Sequence, residues 1–246
     1  MITAGMKHAA HLSKAAIDEA RDKTPPHLRA AVIDGDPTMG SGNVYQVLRS
    51  DIEIDYVKDS KGKYIEVPAH WKRIGGLDVG HNVTAFLAAA HDTDNDVVYI
   101  TDEFFAEQQP PAVIVSGIRH RKGDKYPIMI DPASKGRSQV DGRQLIVEYR
   151  KEKLDVRPAD NAVEAGIHAV WERLSTGRLK IFKHCTRTFK EYELYQRDIN
   201  GNIVKKHDHG MDALRYLVMG LKQAKLIYQT DKSPSPFKYR YNFAGS

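Results

Sequence analysis

The run "YPIMID", residues 126–131, constrains the fold most. It is short, apolar to its last residue, and then stops at an acid. Such a run forms a strand buried on both faces. A sheet containing it needs cover on both sides, which helices between strands supply.

The segments around it set the order of elements. "KRIGGLDVG" from Lys72, "TAFLAAAHD" and "VVYITDEFFA" read as three strands, with "DTDND" as the hairpin turn between the last two. "PPAVIVSGIRHRKG" has prolines where a helix starts and a glycine where it ends. "GRQLIVEYRKE" is amphipathic, and "LDVRPA" and "RLKIFK" are short strands. "NAVEAGIHAVWERLSTG" reads as a helix capped by Asn161, with Val163, Ile167, Val170 and Leu174 on one face, ending near Gly177. "TRTFKEYELYQ" and a closing segment from about His207 to Lys225 are further helices. Three hairpin-linked strands followed by strands and helices in alternation predict an α/β fold, a mixed central sheet with flanking helices.

Residues 1–70 read differently. Pro25 and Pro26 split two short helical patterns, and Gly35, Pro37, Gly40 and Gly42 mark loops. "VKDSKGKYIEVPAH" suits a polar hairpin or linker. This stretch shows no core signature and is expected to be an adaptor, with the main domain over 71–226 and a loose tail over 227–246. "GSGNVY" lacks the lysine of a phosphate-binding loop, so nucleotide binding of that type is not expected. The 246 residues carry a net charge of +5 and one cysteine, Cys185. A basic balance suits a polyanionic partner. A single cysteine excludes an intrachain disulfide, and His184 beside it has no second ligand pair for zinc. No apolar run reaches the roughly 20 residues of a membrane span, and the N-terminus lacks a signal-peptide core; a cytoplasmic protein is expected.

The acids fall at telling places. Asp78 and Asp131 each emerge where an apolar strand stops. In "KKHDHGMDALRYLVMGL", Asp208 and Asp212 are four apart on one helical face. Asp212 lies about 100° around from Met211, at the border of the apolar side. Each acid also has an ordinary structural role: Asp78 in a turn at Gly80, Asp131 before Pro132, Asp208 as a helix cap. Three carboxylates converging at a sheet edge would bind divalent cations through oxygen; polymerases, phosphatases and nucleases all use such clusters.

"GGLDVGHNVTAFLAAA", "IMIDPAS", the run from Asn161 to Asp198 and "HDHGMDALRYL" occur in an order that resembles the nuclease domain of the large terminase subunit of tailed bacteriophages. The resemblance spans roughly Arg73 to Leu221. The preceding stretch is similar to the end of that subunit's packaging ATPase domain, so the chain is expected to be a C-terminal part of such a subunit. The resemblance implies an RNase H-like fold, antiparallel at its first three strands. It also implies an endonuclease that cuts concatemeric double-stranded viral DNA with two Mg²⁺ or Mn²⁺ ions. Asp78, Asp131 and Asp212 take the catalytic and metal-binding positions, with Asp208 and His209 at neighbouring ones. Implied partners are DNA, a small terminase subunit and a portal protein, in the host cytoplasm. The chain alone is expected to be monomeric.

Candidate DNA contacts are Lys135 and Arg137, just after "DPAS", and Arg119, Arg121 and Lys122 in "RHRKGDK". A solvated basic loop explains either group equally. Two rivals remain: another RNase H-like nuclease, acting on junctions or RNA–DNA hybrids, and a non-catalytic DNA-binding or docking module of a packaging motor.

Overall fold

A computed structural model describes residues 6, 9, 11–24, 33, 42–58, 62, 64–80, 82–132 and 145–227. The elements in order are α1 (Lys14–Lys23), β1 (Gly42–Asn43), α2 (Arg49–Ile52), β2 (Glu53–Ile54), β3 (Val57–Lys58), β4 (Tyr64–Ile65), β5 (Lys72–Val79), β6 (Val83–Asp92) and β7 (Val97–Glu107). Then follow α3 (Pro111–His120), β8 (Ile128–Ile130), α4 (Leu145–Lys151), β9 (Val156–Pro158), α5 (Val163–Ser175), β10 (Leu179–Phe182), α6 (Thr186–Leu194), β11 (Gln196–Arg197) and α7 (His209–Met219).

Seven strands form the central sheet in the order β2-β10-β7-β6-β5-β8-β9. Strand β6 pairs antiparallel with β5 and β7; the other pairings in this sheet are parallel. The sheet is therefore mixed and begins with an antiparallel meander, as expected. Strands β5, β7, β8, β9 and β10 end at one edge of it.

Side-chain alternation divides the core. Ile74, Ala85, Leu87 and Met129 pack with Ile167, Phe189 and Leu214 from α5, α6 and α7. Leu77, Phe86, Ile128 and Ile130 pack with Ile114 and Ile146 from α3 and α4. Strand β8 is buried at every position, as its apolar run requires. Helix α7 crosses β5 so closely that a Cβ at Gly76 would overlap the Ala213 carbonyl. Leu214 and Leu217 are fully buried there, each stabilising the fold by roughly 1.5–3 kcal/mol.

The absence of a core signature before Trp71 needs correction. Val44, Tyr45 and Ile52 are buried in the main core, and β2 extends the sheet beside β10. Tyr45 stacks on Tyr192, whose hydroxyl donates to the Val47 carbonyl. The segment borrows its core from α6, so no local periodicity announces it. The expected hairpin forms as β3 and β4. Helix α1 buries no residue. Residues 25–32 and 34–41 of the expected adaptor, and the tail after Ile227, lie outside the described residues. Among the described residues no helix is long and apolar enough to cross a membrane.

Candidate metal centre at the strand ends

Asp78 follows Ile74 and Gly76 in alternation, so it faces α7. Asp131 follows Met129 in the same way. The parallel register pairs Leu77 with Ile130, and the Asp131 N–H donates to the Leu77 carbonyl at 3.1 Å. Asp78 and Asp131 therefore leave adjacent strands at the same level on the same face. Asp212 approaches from the first turn of α7.

The entry to α7 differs from the sequence expectation. His207 has φ +56 and lies outside the helix. Asp208 occupies the cap position, but its side chain makes no capping hydrogen bond. Its backbone there is α-like rather than extended, so the carboxylate does not turn back to the first-turn N–H groups. Glu191 of α6 accepts the Gly210 N–H instead. The Asn161 cap is corrected too. Helix α5 starts from Ala162 without a side-chain cap, and Asn161 Oδ1 faces the Arg215 guanidinium at 3.4 Å.

Asp78, Asp208 and Asp212 each meet a base of the chain. His209 Nδ1 lies 2.8 Å from Asp78 Oδ2. Arg215 Nη2 donates to Asp212 Oδ1 at 3.0 Å. Lys205 Nζ lies 3.2 Å from Asp208 Oδ2 and 3.4 Å from Asp212 Oδ2. Arg215 is 1% exposed, and its stem passes α5 where Gly166 leaves room; a Cβ there would strike the arginine's Cγ.

Burial pushes the Asp78 carboxyl up from its usual range, further than the His209 hydrogen bond pulls it down; the charges of Asp212 and Asp131 add to the rise. The Asp78 hydrogen bond, in turn, raises the His209 imidazole against the cost of desolvation. Burial is also the main cause that raises Glu191 and Tyr216, and Tyr216 feels Asp131, Asp212 and Asp78 together. The three acids thus share one electrostatic environment.

Hard divalent cations take carboxylate oxygens, and this donor set supplies them. Among the described residues no three His, Cys, Asp or Glu side chains are already gathered into a metal cage. The donors fit such an ion chemically, in an arrangement where His209, Lys205 and Arg215 balance their charge.

The proposed basic contacts fare differently. Lys135 and Arg137 lie outside the described residues. Helix α3 runs from the end of β7 back towards the start of β8, so Arg119 in its last turn, and Arg121 and Lys122 just beyond it, are carried away from the acids. Arg121 is tied to Asp102 and the Glu103 carbonyl and lies over Phe104. Arg119 pairs with Glu152, and Lys122 sits exposed in a left-handed turn. Cys185 is fully buried, and His184 lies 2.9 Å from the Thr101 carbonyl.

Three neighbours of the acids escape a sequence reading. Arg215 stands three residues after Asp212, a spacing that places both on one helix face and could have been noticed. Lys205 is seven residues before Asp212 but outside the helix, where periodicity says nothing. Glu191 comes from another helix and has no local signal.

Comparison with known proteins accords with this geometry. A family described as "Terminase RNaseH-like domain" matches residues 76–221. The large terminase subunit of Salmonella phage P22 is 30% identical over 227 residues, covering 87% of this chain. The chain spans less than half the length of the curated relatives it matches, 44% of the P22 protein. The solved P22 large terminase nuclease domain superposes with a TM-score of 0.66 at 27% identity, over 77% of this chain and 97% of that one. The large terminase nuclease from thermophilic phage G20c, solved with bound magnesium, shares the fold at 15% identity and a TM-score of 0.51, covering 72% of this chain and 96% of that one. With its antiparallel meander, its strand-end acids and a family match from β5 through α7, the chain belongs to the terminase RNaseH-like domain family.

Proposed function

We propose that this chain is a divalent-metal-dependent endonuclease that cuts concatemeric double-stranded viral DNA during genome packaging, as part of a large terminase subunit acting in the host cytoplasm. The observation that carries the reading is the placement of Asp78 and Asp131 at one level on adjacent parallel strands, facing Asp212 of α7. Structures of related nuclease domains with bound manganese (phage SPP1) and magnesium (G20c) support a divalent ion.

Asp78, Asp131 and Asp212 would hold the two divalent ions through their carboxylate oxygens. When bound, such ions supply an activated water and neutralise the charge on the phosphate and its leaving oxygen. The chain's own residues prepare for this. Packing under Gly76 fixes the distance of α7 from the strand ends. Arg215 holds one oxygen of Asp212 in place, and His209 orients Asp78. Glu191 holds the Gly210 N–H and so the start of α7. Basic residues of the full chain would hold the duplex through its phosphates, with a small terminase subunit and a portal protein as further partners.

The test is cleavage of supercoiled plasmid at micromolar protein. Nicking and linearisation in Mn²⁺ or Mg²⁺, lost in EDTA and with little sequence preference, is expected. Intact plasmid in Mn²⁺ counts against the reading. Faster cleavage of a four-way junction or an RNA–DNA hybrid than of duplex would favour another RNase H-like nuclease.

A further inference from the structure

The two oxygens of Asp212 are held by two very different cations. Oδ1 accepts from Arg215, which is 1% exposed, backed by Asn161, and seated in the space that Gly166 leaves. Arg215 thus holds that oxygen from within the α5–α7 packing. Oδ2 faces Lys205, whose side chain is 66% exposed. The same ammonium also meets Asp208 Oδ2, so it bridges two carboxylates four residues apart on the helix. Lys205 stands outside α7, three residues before Asp208, on a flexible four-carbon stem that can swing into solvent at little cost.

We propose that Lys205 is an internal counter-cation occupying the open oxygen of Asp212, so that binding of a divalent ion is an exchange of this lysine for the ion. The inference rests on the metal-dependent reading of the site and adds two statements to it. Asp212 offers an ion one oxygen, Oδ2, because Arg215 retains the other. The affinity for the ion is set partly by competition from Lys205, which keeps two buried carboxylates paired before the ion arrives and is released when it binds. An ammonium suits this task better than a guanidinium: it is a compact point charge with freely rotating donors and lets go without breaking a bidentate grip.

Mn²⁺ binding to the full 246-residue chain, without DNA, tests this by isothermal titration at fixed ionic strength. Lys205→Met should bind Mn²⁺ more tightly than wild type, on the order of fivefold, although a basic residue has been removed. Lys206→Met makes the same change in net charge at the exposed neighbouring position and should leave the affinity near that of wild type. Lys205→Arg should bind equally or more weakly than wild type. In EDTA, Lys205→Met should melt lower than wild type, because Asp208 and Asp212 then repel without a bridge. Equal or weaker Mn²⁺ binding by Lys205→Met overturns the exchange while leaving the metal reading intact. Equal tightening by both methionine variants overturns it as well, since net charge then explains the effect. Failure of the wild-type chain to bind Mn²⁺ at all removes both the exchange and the metal reading. A Lys205→Met protein that binds Mn²⁺ as wild type does but cleaves only at raised DNA concentration would make Lys205 a phosphate contact instead.

Discussion

At the β6–β7 turn, Asp96 accepts from His91, Arg173 and Arg178. Against a desolvation cost, those hydrogen bonds pull its carboxyl down to about 2. At the opposite end of the sheet, Asp78 is buried among Asp131 and Asp212, with His209 beside it, and is pushed up from its usual range. Both ends mix acids and bases on a similar scaffold. At the turn, three basic groups surround one half-exposed acid. At the strand ends the carboxylates crowd one another in a buried place. A buried carboxylate whose shift is dominated by burial and neighbouring acids, even with bases beside the cluster, marks a candidate functional site.

The largest expected effect that would break this comparison is on cleavage. Asp78→Asn should lower plasmid cutting at least about a hundredfold, since ion binding and phosphate neutralisation are lost together. Its melting temperature in EDTA should stay equal or rise, because one of several crowded carboxylates has lost its charge. Unfolding of this variant would make Asp78 a structural turn residue. Asp208→Asn should keep part of the activity, with α7 still capped by Glu191.

Next in size is the pair of arginines. Arg215→Met leaves Asp212 buried without its partner and should cost about 3–5 kcal/mol in chemical denaturation. Arg178→Met at the turn should cost under ~1 kcal/mol, because its ion pairs face solvent. Similar losses for the two would erase the distinction between the ends.

Gly76→Ala probes the spacing. The added methyl must push α7 from β5 and should destabilise by about 1–3 kcal/mol. It should also slow cleavage, because Asp212 moves with the helix. Unchanged stability would show that α7 is not pinned there.

The smallest effect is the pH dependence of the turn. The folded pKa of Asp96 lies below its unfolded value of roughly 3.9. Its contribution is therefore present above that value and lost as pH falls towards about 2. Melting from pH 5 to pH 2 should show wild type more stable than Asp96→Asn at the upper end, by under ~1 kcal/mol at this half-exposed site. The two should converge at the lower end. A constant gap would mean that Asp96 does not titrate as described.

Much of this was legible in the residues. The apolar run before Asp131 announced a strand covered on both faces, and Asp78 and Asp131 both stood out where an apolar strand stops. Helical spacing put Asp212 at the border of the apolar face. What escaped depended on long-range placement. Tyr45 and Ile52 are buried only because α6 and the sheet edge come to them. Asn161 and Asp208 looked like helix caps, yet the first faces a buried arginine and the second a lysine. Glu191 does the capping from a separate helix. Local rules cannot foresee such exchanges, because a polar side chain goes to whichever partner tertiary packing delivers. Arg119, Arg121 and Lys122 formed a basic run, but the direction of α3 carries them away from the acids.

The central claim is that the acids at the strand ends hold the metal ions. Titration of Mn²⁺ into the wild-type chain and into the double variant Asp78→Asn, Asp131→Asn tests it most directly, with circular dichroism to establish that both are folded. The account predicts saturable binding by wild type and at least about a tenfold weaker affinity in the folded double variant. Equal affinity in the two proteins would contradict it.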